Sequence, residues 1–111
     1  MQFSSIIEAL KLVPAPGLPV DMDVLGAYTS DLLSDVMGFA RDGDVLITIQ
    51  AHKNTIAVAS LVGCPAVIVC NNRPLPEDMV DAAAKEGIGI AVSPETQFVI
   101  SGRLFRLLGL E

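Results

Sequence analysis

The sequence predicts an α/β domain built on a mostly parallel sheet, and three observations carry that prediction. Three short apolar runs, 45–49, 66–70 and 88–92, have the near-continuous apolar character of strands buried on both faces. Segments of helical spacing alternate with them, which is the pattern of crossover units and hence of parallel pairing. Gly, Pro, Asn or Asp punctuates each change of element. About four or five strands flanked by helices are expected.

In chain order, Ser5, Ile6, Ile7 and Glu8 form a capping-box pattern that predicts a short helix through Leu10. Residues 14–19 carry three prolines and a glycine and read as a loop. Residues 24–28 are strand-like. Thr29, Ser30 and Asp31 then offer capping side chains to a helix over 32–40, with Leu32, Leu33, Val36, Met37 and Ala40 at helical spacing. Asp42, Gly43 and Asp44 make a turn into the strand at 45–49. The helix expected over 54–62 is apolar all round and therefore belongs deep in the fold. After Gly63, Cys64 and Pro65 comes the strand at 66–70, closed by Asn71, Asn72, Arg73 and Pro74. Pro76 stands near the first position of a helix that carries Glu77 and Asp78 in its opening turn and stops at Gly87. Met79, Val80 and Ala83 form its inner face. Beyond the strand at 88–92, Ser93 and Pro94 or Thr96 open a last helix, with Phe98, Leu104, Phe105 and Leu108 expected toward the core. Arg103 and Arg106 suit the dipole of its final turns.

The 111 residues fit one domain, 1–111. Surface scaling gives about 5,900 Å² accessible when folded, so about two-thirds of the unfolded surface is buried. With 51% apolar and 18% charged residues, the composition is the reverse of a disordered chain. A net charge of −6 provides no footprint for a phosphate backbone, and nucleic acid is not expected as a partner. Two cysteines, Cys64 and Cys70, make no disulfide framework, and residues 1–5 lack a secretory pattern. The reducing cytoplasm is the expected compartment. No charge lies between Lys53 and Arg73, but Asn54, Thr55, Ser60 and the Gly63-Cys64-Pro65 break favour a helix, a turn and a buried strand over a membrane span.

Ligands of parallel sheets bind beyond the carboxyl ends of the strands. Four loops qualify: 29–31, 50–54, 70–73 and 93–97. The candidate ligand-binding residues are Ser30, Asp31, Thr48, Gln50, His52, Asn54, Asn71, Asn72 and Arg73. His52 is the only histidine and titrates, ligates or donates to an anion where it is not simply solvated. Cys64 and Cys70 are six apart, against the paired spacing of zinc sites, and read as buried thiols, with redox sensing by Cys70 the residual alternative. The acidic pairs Asp21/Asp23 and Asp42/Asp44 read as structural. No catalytic residue, metal ligand or cofactor is assigned.

Three stretches, 26–37, 43–54 and 67–74, give the chain a resemblance to the DRTGG domain family, strongest over 26–108. That family occurs as a regulatory segment in some phosphate acetyltransferases and in some pyrophosphatases with CBS domains, and also as stand-alone proteins. Its two naming loops correspond here to Ala51, His52, Lys53 and Asn54, and to Cys70, Asn71 and Asn72. Asparagine tolerates left-handed backbone angles, so Asn71 and Asn72 can hold the turn of a Gly-Gly pair. Lys53 keeps a positive charge where the name has arginine, without the bidentate fork. The resemblance implies the fold of the HPr kinase N-terminal domain. A serine kinase is not implied, because no G-x-x-x-x-G-K-[ST] occurs in the chain.

The resulting expectation is a non-catalytic regulatory or sensory domain that binds a small anionic or nucleotide-like metabolite and self-associates as a homodimer. One alternative is a ligand-free interaction subunit of a larger metabolic or redox complex, with another protein as its partner. The other is a small enzyme using His52, Asp31 or Cys70, disfavoured because no acid, base and nucleophile converge in sequence.

Overall fold

The computed structural model describes residues 1–110. In chain order the elements are α1 (Phe3–Leu10), β1 (Val13–Pro14), β2 (Gly26–Thr29), α2 (Leu33–Phe39), β3 (Asp44–Thr48), α3 (Lys53–Val62), β4 (Ala66–Val69), α4 (Glu77–Glu86), β5 (Gly89–Val92) and α5 (Gln97–Leu107). They form one five-stranded sheet of order β1-β5-β4-β3-β2. The strands β2 to β5 are parallel neighbours, and β1 joins β5 antiparallel. The sheet is thus mixed at one edge only. Its accessible surface, 5899 Å², is that of a folded chain of this size.

Strand alternation divides the core into two layers. Val45, Ile47, Ala66, Ile68 and Ala91 face the side covered by Phe3 and Ile6 of α1 and Ile100 and Leu104 of α5. Leu46, Val67, Val69 and Ile90 face the side covered by Val36 of α2, Ile56 and Ala59 of α3, and Met79 and Ala83 of α4. Continuous apolar strands are required because both faces are covered. Gly89 admits the N-terminal segment: a Cβ there would lie 2.7 Å from Met22 Cε and 3.1 Å from Phe3 Cε2.

Several expected details differ, each for a local reason. The capping box does not form, because α1 begins at Phe3 and the Ser5 amide bonds the Gln2 carbonyl within its first turn. Neither Ser30 nor Asp31 caps α2, whose N-cap is Leu32 without a side-chain bond. Residues 13–14 are a short edge strand and not loop, which Pro14 tolerates because an edge position has no obligatory amide bond. Helix α3 is not enclosed: Ala57, Ser60 and Leu61 are exposed. On α5 the core positions are Ile100 and Leu104, while Phe98 is 89% exposed and Phe105 also faces solvent. Leu32 and Met37 are exposed as well. No helix among the described residues is long and apolar enough to cross a membrane.

Candidate functional site

Because β2 to β5 are parallel, the loops that follow them all leave the same edge of the sheet. The connections through α2, α3 and α4 pass to one face, whereas the chain after β5 passes to the other, where α5 packs. The direction of departure therefore changes between β4 and β5, the kind of place where parallel sheets open a crevice.

Here the crevice is crossed by the segment after β5. The Asn72 amide donates to the Ser93 carbonyl at 2.9 Å, and the Asn71 amide donates to the Glu95 carbonyl at 2.9 Å. Asn71 and Asn72 are both left-handed, with φ of 60° and 53°, so the turn expected of a Gly-Gly pair is present. Their amides are spent on this stitch and are not free to cradle an anion. Two residues further on, the strap reaches the far side of the rim, where Gln97 Nε2 donates to Asp31 Oδ2 at 3.0 Å.

Asp31 is the centre of that far side. Its Oδ1 accepts from the Thr48 hydroxyl and from the Ile49 amide, each at 2.9 Å. Burial works against the charged carboxylate, but the Ile49 amide, the Gln97 carboxamide, the Thr48 hydroxyl and the nearby Arg73 charge outweigh it and hold its pKa below the ordinary aspartate value. Thr48 is buried and also accepts from the Gln50 amide at 3.1 Å. Ser30 stays local, its hydroxyl accepting from the Leu32 amide at 3.2 Å. The Oε1 of Gln97 is buried and has no hydrogen-bond partner.

The remaining candidates make no hydrogen bond to Asp31, although the Arg73 charge is felt there. His52 caps α3, its Nδ1 accepting from the Asn54 amide at 3.0 Å, which requires that nitrogen to be unprotonated. The Gln50 carbonyl accepts from the buried Thr55 hydroxyl at 2.7 Å. Asn54 and Lys53 line a groove of about 470 Å³ between α3 and α4, opposite Asp78, Asp81 and Lys85. Asn72 and Arg73 line a different one, of about 500 Å³, whose other walls include Pro14, Pro16, Leu75 and Val92. The nine candidates are thus gathered at one edge but distributed over a locked hub, a helix cap and two grooves.

Sequence reasoning passed over Gln97 and the carbonyls of Ser93 and Glu95. The signal for them was position alone, since they occupy the fourth strand-to-helix loop. Neither cysteine is poised for chemistry. Burial, with the charges of Asp44 and Asp42, pushes the Cys64 thiol up to about 11. Burial and the Asp31 charge push Cys70 up to about 11. Both are protonated at neutral pH, and a thiol is a poor nucleophile.

No protein-family model matches the chain, and no curated protein matches it. Among solved structures it is similar to the CBS and DRTGG domains of the regulatory region of Clostridium perfringens pyrophosphatase, crystallised with its activator diadenosine tetraphosphate. The TM-score is 0.67 at 18% identity, covering 96% of this chain and 45% of that one. The architecture is therefore DRTGG-like, as the resemblance implied, and the chain spans under half the length of the one it matches.

Proposed function

We propose that this chain is a non-catalytic regulatory domain that binds a small nucleotide-like metabolite at the strand-end rim and acts through self-association. The observation that carries the reading is the groove beside the β4 loop. Its volume of about 500 Å³ lies within the range of small-molecule sites. Its walls are apolar, from Pro14, Pro16, Leu75 and Val92, and Asn72 and Arg73 stand at its edge. A flat apolar ring and an attached anion match those two kinds of surface, the anion meeting the Arg73 guanidinium. A simple inorganic anion would use only the edge. That the similar pyrophosphatase region takes an adenine-containing activator agrees with this class of ligand.

The rim is suited to reporting occupancy. Arg73 follows Asn71 and Asn72, which are bonded to the strap, and the strap ends at Gln97 on Asp31. A ligand that holds Arg73 therefore bears on a chain of hydrogen bonds running across the rim from β4 to β2. Protonated cysteines and a histidine used as a helix cap fit a binding role and not a reaction.

Thermal-shift titration with adenine nucleotides, phosphorylated metabolites and simple anions tests the reading. A ligand at one hundred times its dissociation constant stabilises by about 2.7 kcal/mol. The expected result is a shift with nucleotides that Arg73→Ala abolishes. No shift from any of the panel would leave the ligand-free interaction subunit as the better reading, which the internal use of so many rim polar groups favours.

A further inference from the structure

The two edges of the sheet are built differently. At one edge β1 is two residues long and contains Pro14, two of the devices that prevent strand addition. At the other, β2 has the sequence Gly26-Ala27-Tyr28-Thr29, with no lysine, proline or bulge. The Leu25 amide donates inward to the Gly43 carbonyl at 2.9 Å. Backbone groups alternate along a strand, so the amides and carbonyls of Gly26 and Tyr28 are directed at the open edge.

That edge lies in a groove of about 650 Å³ bounded by Leu25, Phe39, Arg41 and Leu110, with Asp42 and Asp44 beside Arg41 and Asp44 Oδ2 accepting from the Arg41 amide at 2.9 Å. Leu25 and Phe39 are each 70% exposed. Helix α5 extends the apolar surface. Its Ser101 hydroxyl is hydrogen-bonded to Thr29 Oγ1 of β2 at 2.7 Å, and helical spacing puts Phe98 and Phe105 just outward of Ser101. Unpaired backbone and large apolar side chains therefore coincide on one side of the molecule, a combination that marks an interface.

We infer that β2 pairs antiparallel with β2 of a second copy about a two-fold axis at Ala27, joining the two five-stranded sheets edge to edge. This rests on the self-associating part of the function proposed above and is independent of the ligand. The occupant is a second copy because the edge is self-complementary. In the antiparallel register centred on Ala27, Gly26 of each copy faces Tyr28 of the other, so the outward groups pair with one another. The small exposed Ala27 lets the backbones meet at the axis. Charge follows the same symmetry. Arg41 lies at the start of β2 and has no ion pair among the described residues, while Asp35, bonded to the Tyr28 hydroxyl at 2.7 Å, lies toward its end. Antiparallel pairing brings the Arg41 of each copy toward Asp35 of the other.

Mass measurement by light scattering on the full chain tests the inference, with amide hydrogen exchange followed against protein concentration. The wild type is expected at twice the 11.7 kDa chain mass at micromolar concentration, with exchange at Gly26 and Tyr28 slowing as concentration rises. Ala27→Lys places like charges on the axis and is expected to give the single-chain mass without lowering the melting temperature of the separated chain. Arg41→Glu is expected to weaken association about tenfold, and the pair Arg41→Glu with Asp35→Arg to restore it. A wild type of single-chain mass throughout overturns both this inference and the self-association proposed above. A wild type of double mass that Ala27→Lys leaves intact, or a dimer without protection at Gly26 and Tyr28, overturns the β2 interface alone.

Discussion

Asp31 accepts from the end of β3, at Thr48 and Ile49, and from Gln97 of α5, and its sequence setting hides this. In Thr29-Ser30-Asp31, immediately ahead of a helix, a capping role is the reading that local chemistry favours. Capping is a local property, whereas the bonds to Thr48 and Gln97 span 17 and 66 residues and depend on how the sheet is assembled. Asn71 and Asn72 are the opposite case: their left-handed angles follow from residue type, and the sequence shows them. Asp31→Ala should lower stability by about 1–2 kcal/mol in urea denaturation, since it strands the donors of Thr48, Ile49 and Gln97 where water has partial access. The effect depends on pH in a defined sense. The folded pKa lies below the unfolded one, so the carboxylate's contribution is complete above the ordinary aspartate value and is lost as pH falls through the folded value. The stability gap between wild type and Asp31→Asn should therefore be constant near neutrality and narrow on acidification; a gap that widens in acid would contradict this account. At the turn, Asn72→Gly should be tolerated, whereas Asn72→Val should cost about 1–2 kcal/mol, because a β-branched residue fits the left-handed region poorly.

Among the elements, the strands were the most legible part of the chain, because burial on both faces imposes unbroken apolar runs at 45–47 and 66–69 whatever the neighbours are. The helices were legible in extent, and α4 in facing too, since Met79 and Ala83 are buried as expected, whereas the facing of α5 was only partly legible. Along α5, Phe98, Ile100, Leu104 and Phe105 are all apolar, and spacing alone does not say which pair is enclosed. The structure encloses Ile100 and Leu104 and turns the two phenylalanines out beside the open strand. An outward aromatic pair looks like core to a periodicity argument, which reads apolar spacing and not exposure. In the separated chain, Leu104→Ala should cost about 2–5 kcal/mol by cavity formation, and Phe98→Ala should change stability by less than about 0.5 kcal/mol. Denaturation of both variants on an Ala27→Lys background reads these values free of association. Thr96 opens the same helix as its true cap, accepting from the Val99 amide, and Thr96→Ala should cost about 1 kcal/mol.

For the whole molecule, the connection pattern determines what kind of rim is possible. Strands β2 to β5 are laid down side by side in sequence order, with α2, α3 and α4 on one face. Of the connections that leave β2 to β5, only the last crosses to the other face, so the reversal among them falls at the β4 and β5 loops and the chain itself bridges it. The fold class and the gathering of loops at one edge were readable from alternating strand and helix patterns. The strap was not, because it depends on where α5 docks, which no local pattern encodes. The groove proposed above for the ligand lies on the β1 side of the strap, with Asn72 and Arg73 at its lip.

The most direct test of this account is a backbone amide spectrum of the isotopically labelled chain, titrated with an adenine nucleotide. Saturable shifts are predicted at Ala15, Asn72, Arg73, Leu75 and Val92, continuing through the strap to Gln97 and Asp31. Shifts confined to Lys53, Asp81 and Lys85 in the groove between α3 and α4, or no shifts at any concentration, would contradict it.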